Sequence, residues 1–199
     1  YIKKKNYKIV SLKDLYKIEN LIFISIEYEK IINVKKFKTK ELFNFHFSLL
    51  PKYRGCHTNF HQIYNNEKYT GVTLHKIDKG IDTGKIISKI KYKIHINHNA
   101  LENYVKLMKY SLKLLKKEFI NILNKKYILK VQKNDKSSYF SRNSVNYDKM
   151  KKMKLNRINK SSYNKIRAFI FPPYQLPIVN SKVVKNIKYK NKKILISYG

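Results

Sequence analysis

Three side chains have types and spacing suited to acyl transfer. Asn44-Phe45-His46 puts an amide and an imidazole two positions apart. On a strand, residues i and i+2 share a face, so Asn44 and His46 project side by side. Asp82 lies within Lys79-Gly80-Ile81-Asp82-Thr83-Gly84, where two glycines permit a tight loop. Moving an acyl group onto an amine requires donors for the developing oxyanion and a group that takes protons from the attacking nitrogen. The Asn44 amide and a protonated His46 suit the first role. Asp82, directly or through water, suits the second, or it holds His46 in its useful state. A carboxylate beside an imidazole favours the imidazolium, so His46 is expected to have a raised pKa. No covalent nucleophile is required.

Each residue alone has an ordinary explanation. Asparagine is abundant in this chain, strand histidines are common, and an aspartate between glycines is usually a turn residue. Their combination argues for a site. His75 reads as a strand residue supporting it. His57, His61, His95 and His98 do not form a metal-ligand set, so no metal is expected. The single cysteine, Cys56, excludes an internal disulfide framework.

Short strands alternating with helices must position these groups, which predicts an α/β sheet. Ile9-Val10 is a possible short strand. Residues 21–26 read as a strand buried on both faces, and residues 43–47 as a second strand. A helical turn is expected around 31–37, a helix over 56–66, a strand over 71–77 and β structure over 85–96. Leu101, Tyr104, Val105, Met108, Leu112, Leu115, Phe119 and Ile122 recur at helical spacing and predict one amphipathic core helix, capped by Asn97 or Asn99. Residues 130–162 are polar and loop-like. A short helix over 161–171 stops at Pro172-Pro173, and 183–187 with 193–197 suggest a hairpin.

The segment Asn44-Phe45-His46-Phe47-Ser48-Leu49-Leu50-Pro51-Lys52-Tyr53-Arg54-Gly55 is followed by Gly71-Val72-Thr73-Leu74-His75 and then Ile81-Asp82-Thr83-Gly84. Together, with 38 positions between Asn44 and Asp82, they resemble the signature of the folate-dependent formyltransferases, which use 10-formyltetrahydrofolate. The resemblance spans about residues 7–125. Phe47 departs from it, since many members carry proline there. The resemblance implies an α/β, Rossmann-like formyltransferase core over 1–130, truncated at its amino end by one strand–helix–strand unit. A C-terminal extension with short strands over 131–199 would serve substrate binding and dimerisation. It implies Asn44, His46 and Asp82 as catalytic residues. Ile77, Asp78, Lys79, Gly80, Ile81 and Asp82 would meet the pterin, largely through backbone groups.

Ser138-Tyr139-Phe140-Ser141-Arg142, Tyr163–Phe169 and Phe171–Pro177 are similar to the region after the core in sugar N-formyltransferases that act on dTDP-linked 4-amino-4,6-dideoxy sugars. The implied partners are the folate cosubstrate and a nucleotide sugar. Tyr174 would stack on a base or sugar, Arg167 would pair with phosphate and Gln175 would read polar edges. Arg54 would neutralise phosphate or fix the loop. The implied setting is surface-glycan biosynthesis of the lipopolysaccharide O-antigen kind, by a cytoplasmic homodimer. Methionyl-tRNA formyltransferase is the alternative, since Ile-Arg-Ala-Phe also occurs there, but its usual β-barrel domain does not fit after Arg167. The purine-pathway glycinamide ribonucleotide enzyme gives no reason for the 130–199 extension. An inactive fragment or binding remnant is the alternative of another class.

The net charge of +33 suits a polyanion partner. Yet arginine occurs only at 54, 142, 157 and 167, and the lysines are spread along the chain rather than gathered in a stripe. A solvated surface and A/T-rich codon usage account for them better than nucleic-acid binding. No apolar run has the length of a membrane span.

Overall fold

The computed structural model describes residues 8–199. In chain order its elements are α1 (Leu12–Leu15), β1 (Phe23–Ile26), β2 (Leu42–His46), β3 (Arg54–Gly55), α2 (Thr58–Tyr64), β4 (Tyr69–Lys76), β5 (Ile86–Lys93) and α3 (Ala100–Leu123). β6 (Tyr139–Phe140), α4 (Tyr147–Met150), β7 (Lys152–Met153), α5 (Lys160–Ala168), β8 (Ile178–Val179), β9 (Lys182–Lys190) and β10 (Lys193–Tyr198) follow. Ile9 and Val10 form no strand and are exposed. The expected turn near 31–37 is a 3₁₀ turn over Val34–Lys36.

The first sheet has the order β1-β2-β4-β5. β1 runs parallel to β2, whereas β4 is antiparallel to both β2 and β5. β2 is apolar on both faces because Leu42, Phe43 and Phe45 are all covered. β1 differs from expectation: only Ser25 is buried, since among the described residues β1 has a neighbour on one side only.

α3 covers this sheet. Asn99, rather than Asn97, caps it, because Glu102 three residues on returns a bond to the Asn99 N–H and completes a capping box. The helix is amphipathic as expected, but its innermost row is rotated. Ala100, Asn103, Leu107, Ser111, Leu114 and Ile122 are buried, while Val105, Leu112 and Phe119 are exposed. The polar members of that row are tolerated because they are paired. Asn103 donates to Asn59 Oδ1 at 2.7 Å and accepts from the Tyr92 hydroxyl at 2.8 Å, and the Ser111 hydroxyl donates to Met108 O.

The second sheet has the order β10-β9-β8-β7. Its hairpins turn on Asn180-Ser181 and Asn191-Lys192, all with positive φ, the geometry that matches strand twist. α5 joins the two halves: Tyr163 and Ile166 pack among Val184 and Ile187, while Ala168 packs beside Phe60 and Ile63. The 130–162 stretch is more ordered than its polarity suggests. Its β6 adds a parallel ladder to β3, and it carries α4 and β7.

Candidate active site

β2 ends with Asn44 and His46 on one face, and the β2–β4 register sets His75 opposite Asn44. The loop after β4 returns Asp82 onto this cluster. That turn is tight: a Cβ on Gly84 would lie 1.8 Å from Lys76 O. Asp78 Oδ1 accepts from the Gly80 N–H at 3.0 Å and the Thr83 hydroxyl at 2.7 Å, an Asx turn that shapes the loop. Asp82 itself has φ 53°, left-handed and unfavourable for a residue with a Cβ.

The Asp82 carboxylate gathers the site. Oδ2 accepts from the Gly55 N–H at 2.9 Å and faces His46 Nδ1 at 3.5 Å. Oδ1 accepts from Asn44 Nδ2 at 3.3 Å and faces His75 Nε2 at 3.4 Å. Both imidazoles are oriented by main-chain carbonyls. His46 Nε2 donates to Tyr53 O at 2.6 Å and His75 Nδ1 donates to Lys76 O at 2.8 Å. Carbonyls only accept, so these nitrogens carry hydrogens and the other nitrogen of each ring points at Asp82.

Burial opposes ionisation of Asp82, but His46, His75 and the Gly55 N–H outweigh it and hold the carboxyl below its ordinary range. His46 moves opposite to expectation. Desolvation pushes its pKa down and prevails over the raising effects of Asp82 and Tyr53 O. The resting pair is therefore carboxylate and neutral imidazole. With one His46 nitrogen on Tyr53 O and the other at Asp82, the ring has no free N–H for an oxyanion. Asn44 Nδ2 reaches both Asp82 Oδ1 and His75 Nε2, each at 3.3 Å, so its two hydrogens are engaged at rest and one must turn away to meet an oxyanion.

This cluster opens into a cavity of about 740 Å³, within the range of small-molecule sites. Ile77, Asp78, Lys79, Gly80, Ile81 and Asp82 all line it, as do Tyr174 and Gln175. Tyr174 stands at the rim, 84% exposed. Two arginines stand away from the cavity: Arg54 fits the loop-fixing one of its two expected roles, and the phosphate role expected of Arg167 needs correction. Arg54 does not line the cavity; its guanidinium donates to Gln132 Oε1 at 3.2 and 2.8 Å and to Asn134 Oδ1 at 3.0 Å. Arg167 is 2% exposed and donates to Asn164 Oδ1 and His98 O, so it is a buried structural cation with no route to a phosphate. The arginine in the cavity wall is Arg142. Sequence reasoning quoted it without nominating it, and also missed the Gly55 N–H and Tyr53 carbonyl, which leave no side-chain signal. His75 is closer to the centre than a support role implied, a position visible in advance only from the strand register.

The formyl transferase family model matches residues 12–119, more than half of the chain. The chain belongs to the formyl transferase family. Among solved structures, this formyltransferase is similar to WlaRD, a sugar 3N-formyl transferase solved with dTDP and 5-N-formyl-THF, at 43% identity and a TM-score of 0.86, covering 95% of this chain and 68% of that one. It is also similar to the N-formyltransferase of Helicobacter canadensis in complex with folinic acid and dTDP-3-aminofucose, at 37% identity and a TM-score of 0.87, covering 98% and 77%. Curated relatives include the bifunctional polymyxin resistance protein ArnA of Wigglesworthia glossinidia brevipalpis, 38% identical over 160 residues, and a methionyl-tRNA formyltransferase of Thermosipho melanesiensis, 32% identical over 174 residues. These alignments take in 79% and 84% of the formyltransferase but span 24% and 54% of the relatives' own lengths. The α/β formyltransferase fold expected from the motifs is the fold observed. Among the described residues, no group of three or more His, Cys, Asp or Glu is arranged to hold a metal ion, and no helix is long and apolar enough to cross a membrane.

Proposed function

We propose that the protein transfers a formyl group from 10-formyltetrahydrofolate to the amine of a nucleotide-linked amino sugar. The observation that carries this reading is that Asn44, His46 and Asp82 stand together in the lining of a cavity that Tyr174 and Arg142 also line. Loop 77–82 suits a flat folate ring: its six residues line the cavity and Ile81 offers an apolar side chain 40% exposed. Bound there, 10-formyltetrahydrofolate supplies the formyl carbon.

The chain's own groups do the rest. Asn44 turns the N–H that rests against His75 Nε2 toward oxygen charge that develops as the amine adds. Neutral His46 takes a proton from the amine, and the ionised Asp82 stabilises the imidazolium as it forms. The same proton serves the leaving nitrogen, so the reaction is proton-neutral overall. Tyr53 O and Gly55 N–H keep this pair aligned throughout.

The two similar structures above 35% identity concern a 3N enzyme and dTDP-3-aminofucose. They favour a 3-amino acceptor beside the 4-amino one expected from the sequence. Residues 131–199, cytoplasmic location, a homodimer and a surface-glycan product complete the proposal. Methionyl-tRNA remains a second acceptor because several curated relatives are methionyl-tRNA formyltransferases and the charge is +33.

The test is incubation with 10-formyltetrahydrofolate and dTDP-linked 3-amino and 4-amino sugars, with initiator methionyl-tRNA in parallel. Formylation of tRNA alone refutes the sugar reading. Asn44→Ala, His46→Ala and Asp82→Asn are each expected to lower kcat by about 10²–10⁴-fold in folded protein; near-normal turnover removes that residue from the trio.

A further inference from the structure

Asp82 is anchored by its backbone as well as its carboxylate. Gln132 comes from a segment far along the chain and is 8% exposed. Its Nε2 donates to Asp82 O and to Gly84 O, both at 2.8 Å. Its Oε1 accepts from Arg54 Nε and Nη2. Arg54 immediately precedes Gly55, whose N–H holds the Asp82 carboxylate.

The residue type follows from this arrangement. A guanidinium only donates and carbonyls only accept. A side chain between them must accept at one end and donate twice at the other, which an amide of glutamine length does. Arg54 also forbids the flipped amide, so the two donors are permanently aimed at the loop. The carbonyls they grip, of Asp82 itself and of Gly84, directly follow the left-handed Asp82 turn, which costs free energy and persists only where its surroundings impose it.

We propose that Gln132 is a positioning residue for Asp82, and that Arg54 orients Gln132 for that task. The rate readout of this proposal rests on the formyl-transfer reading; its structural readout does not. The groups facing the Asp82 carboxylate are His46 and Asn44 from β2, His75 from β4 and the Gly55 N–H from β3. A loosened loop moves the carboxylate away from all of them and returns its titration toward the ordinary range.

The experiment uses the full-length protein with Gln132→Met, Gln132→Glu, Arg54→Met and the Arg54→Met/Gln132→Met pair. Steady-state kinetics over pH are measured beside a carbon-13 NMR titration of labelled aspartate, with Asp82→Asn assigning the resonance. Gln132→Met is expected to lower kcat by about 10–100-fold with a much smaller change in KM. The acid limb of kcat and the Asp82 titration both move upward. Gln132→Glu keeps the Arg54 contact but has no donors, so it is expected to show a similar loss, and it serves where Gln132→Met does not fold. Arg54→Met costs less, and the double variant is no worse than Gln132→Met because the two act as one unit. An unmoved Asp82 titration in folded Gln132 variants overturns the proposal, whatever happens to melting temperature. A moved titration in a protein that formylates neither an amino sugar nor methionyl-tRNA supports the positioning role and defeats the formyl-transfer reading instead.

Discussion

Whether an imidazole beside a carboxylate is charged depends on which of two opposing effects is larger. At His46, desolvation exceeds the pull of Asp82. His61 behaves similarly, pushed down to about 4 by burial and by His57. Both have folded values below the unfolded one, about 6.5. The unfolded chain therefore takes up protons first on acidification, and stability falls from near pH 6.5 toward pH 4. Each group contributes a slope of at most ~1.4 kcal/mol per pH unit, less at His61 where solvent screens it. Asp82, depressed below its ordinary value, adds its loss at still lower pH. Urea unfolding midpoints measured from pH 8 to 4 check this; a flat profile between 7 and 4.5 contradicts it. That Asn44 and His46 share a face was legible in the sequence because strand alternation is a local rule, while Asp82, 38 positions on, was joined to them by the family resemblance. Their protonation was not legible, because desolvation depends on everything packed around them. The phosphate role expected of Arg167, and offered as one of two for Arg54, was misplaced for a related reason. A guanidinium suits phosphate and carbonyl oxygens equally, and the sequence does not say which it meets.

At the scale of elements, α3 separates pattern from packing. Its helical period was visible in the sequence, which left the cap open between Asn97 and Asn99; the Glu102 bond back to Asn99 decides it. Its inner row was not, because paired Asn103 and Ser111 sit in it while Val105, Leu112 and Phe119 stay outside. Hydrophobicity alone ranks Leu107 and Leu112 as equals; burial does not, at 0% and 52% exposed. Leu107→Ala is expected to cost about 2–5 kcal/mol by transfer and cavity terms. Leu112→Ala is expected to stay within about 1 kcal/mol. Denaturant titration of both variants measures the difference, and equal losses would restore the sequence-derived face. β6 escaped notice because a two-residue strand has no period. Its partner β3 holds Gly55 at φ 89°, where a Cβ would meet Phe140 O at 2.2 Å, so this ladder admits no side chain.

Across the whole molecule, the two sheets meet where α3 begins. Asn97 Oδ1 accepts from the Tyr163 hydroxyl at 2.8 Å and the Tyr189 N–H at 2.7 Å, and its Nδ2 donates to Tyr189 O at 3.2 Å. Arg167 donates to His98 O beside it. Asn97→Ala leaves three groups without this partner and is expected to cost about 2–3 kcal/mol; a loss below about 0.5 kcal/mol in urea unfolding would show that the joint is dispensable. Sequence reasoning offered Asn97 only as one of two candidate helix caps, since a long-range joint leaves no local mark. The same remoteness governs the catalytic pocket in time. Tyr53 N reaches Ser138 across 85 positions, Arg54 reaches Gln132 across 78 and Gln132 reaches Asp82 across 50. Contacts this distant in sequence close slowly during folding. Helix and strand in the first sheet and α3 are therefore expected to form before loop 77–84 is held, so an emerging chain acquires its scaffold before its pocket.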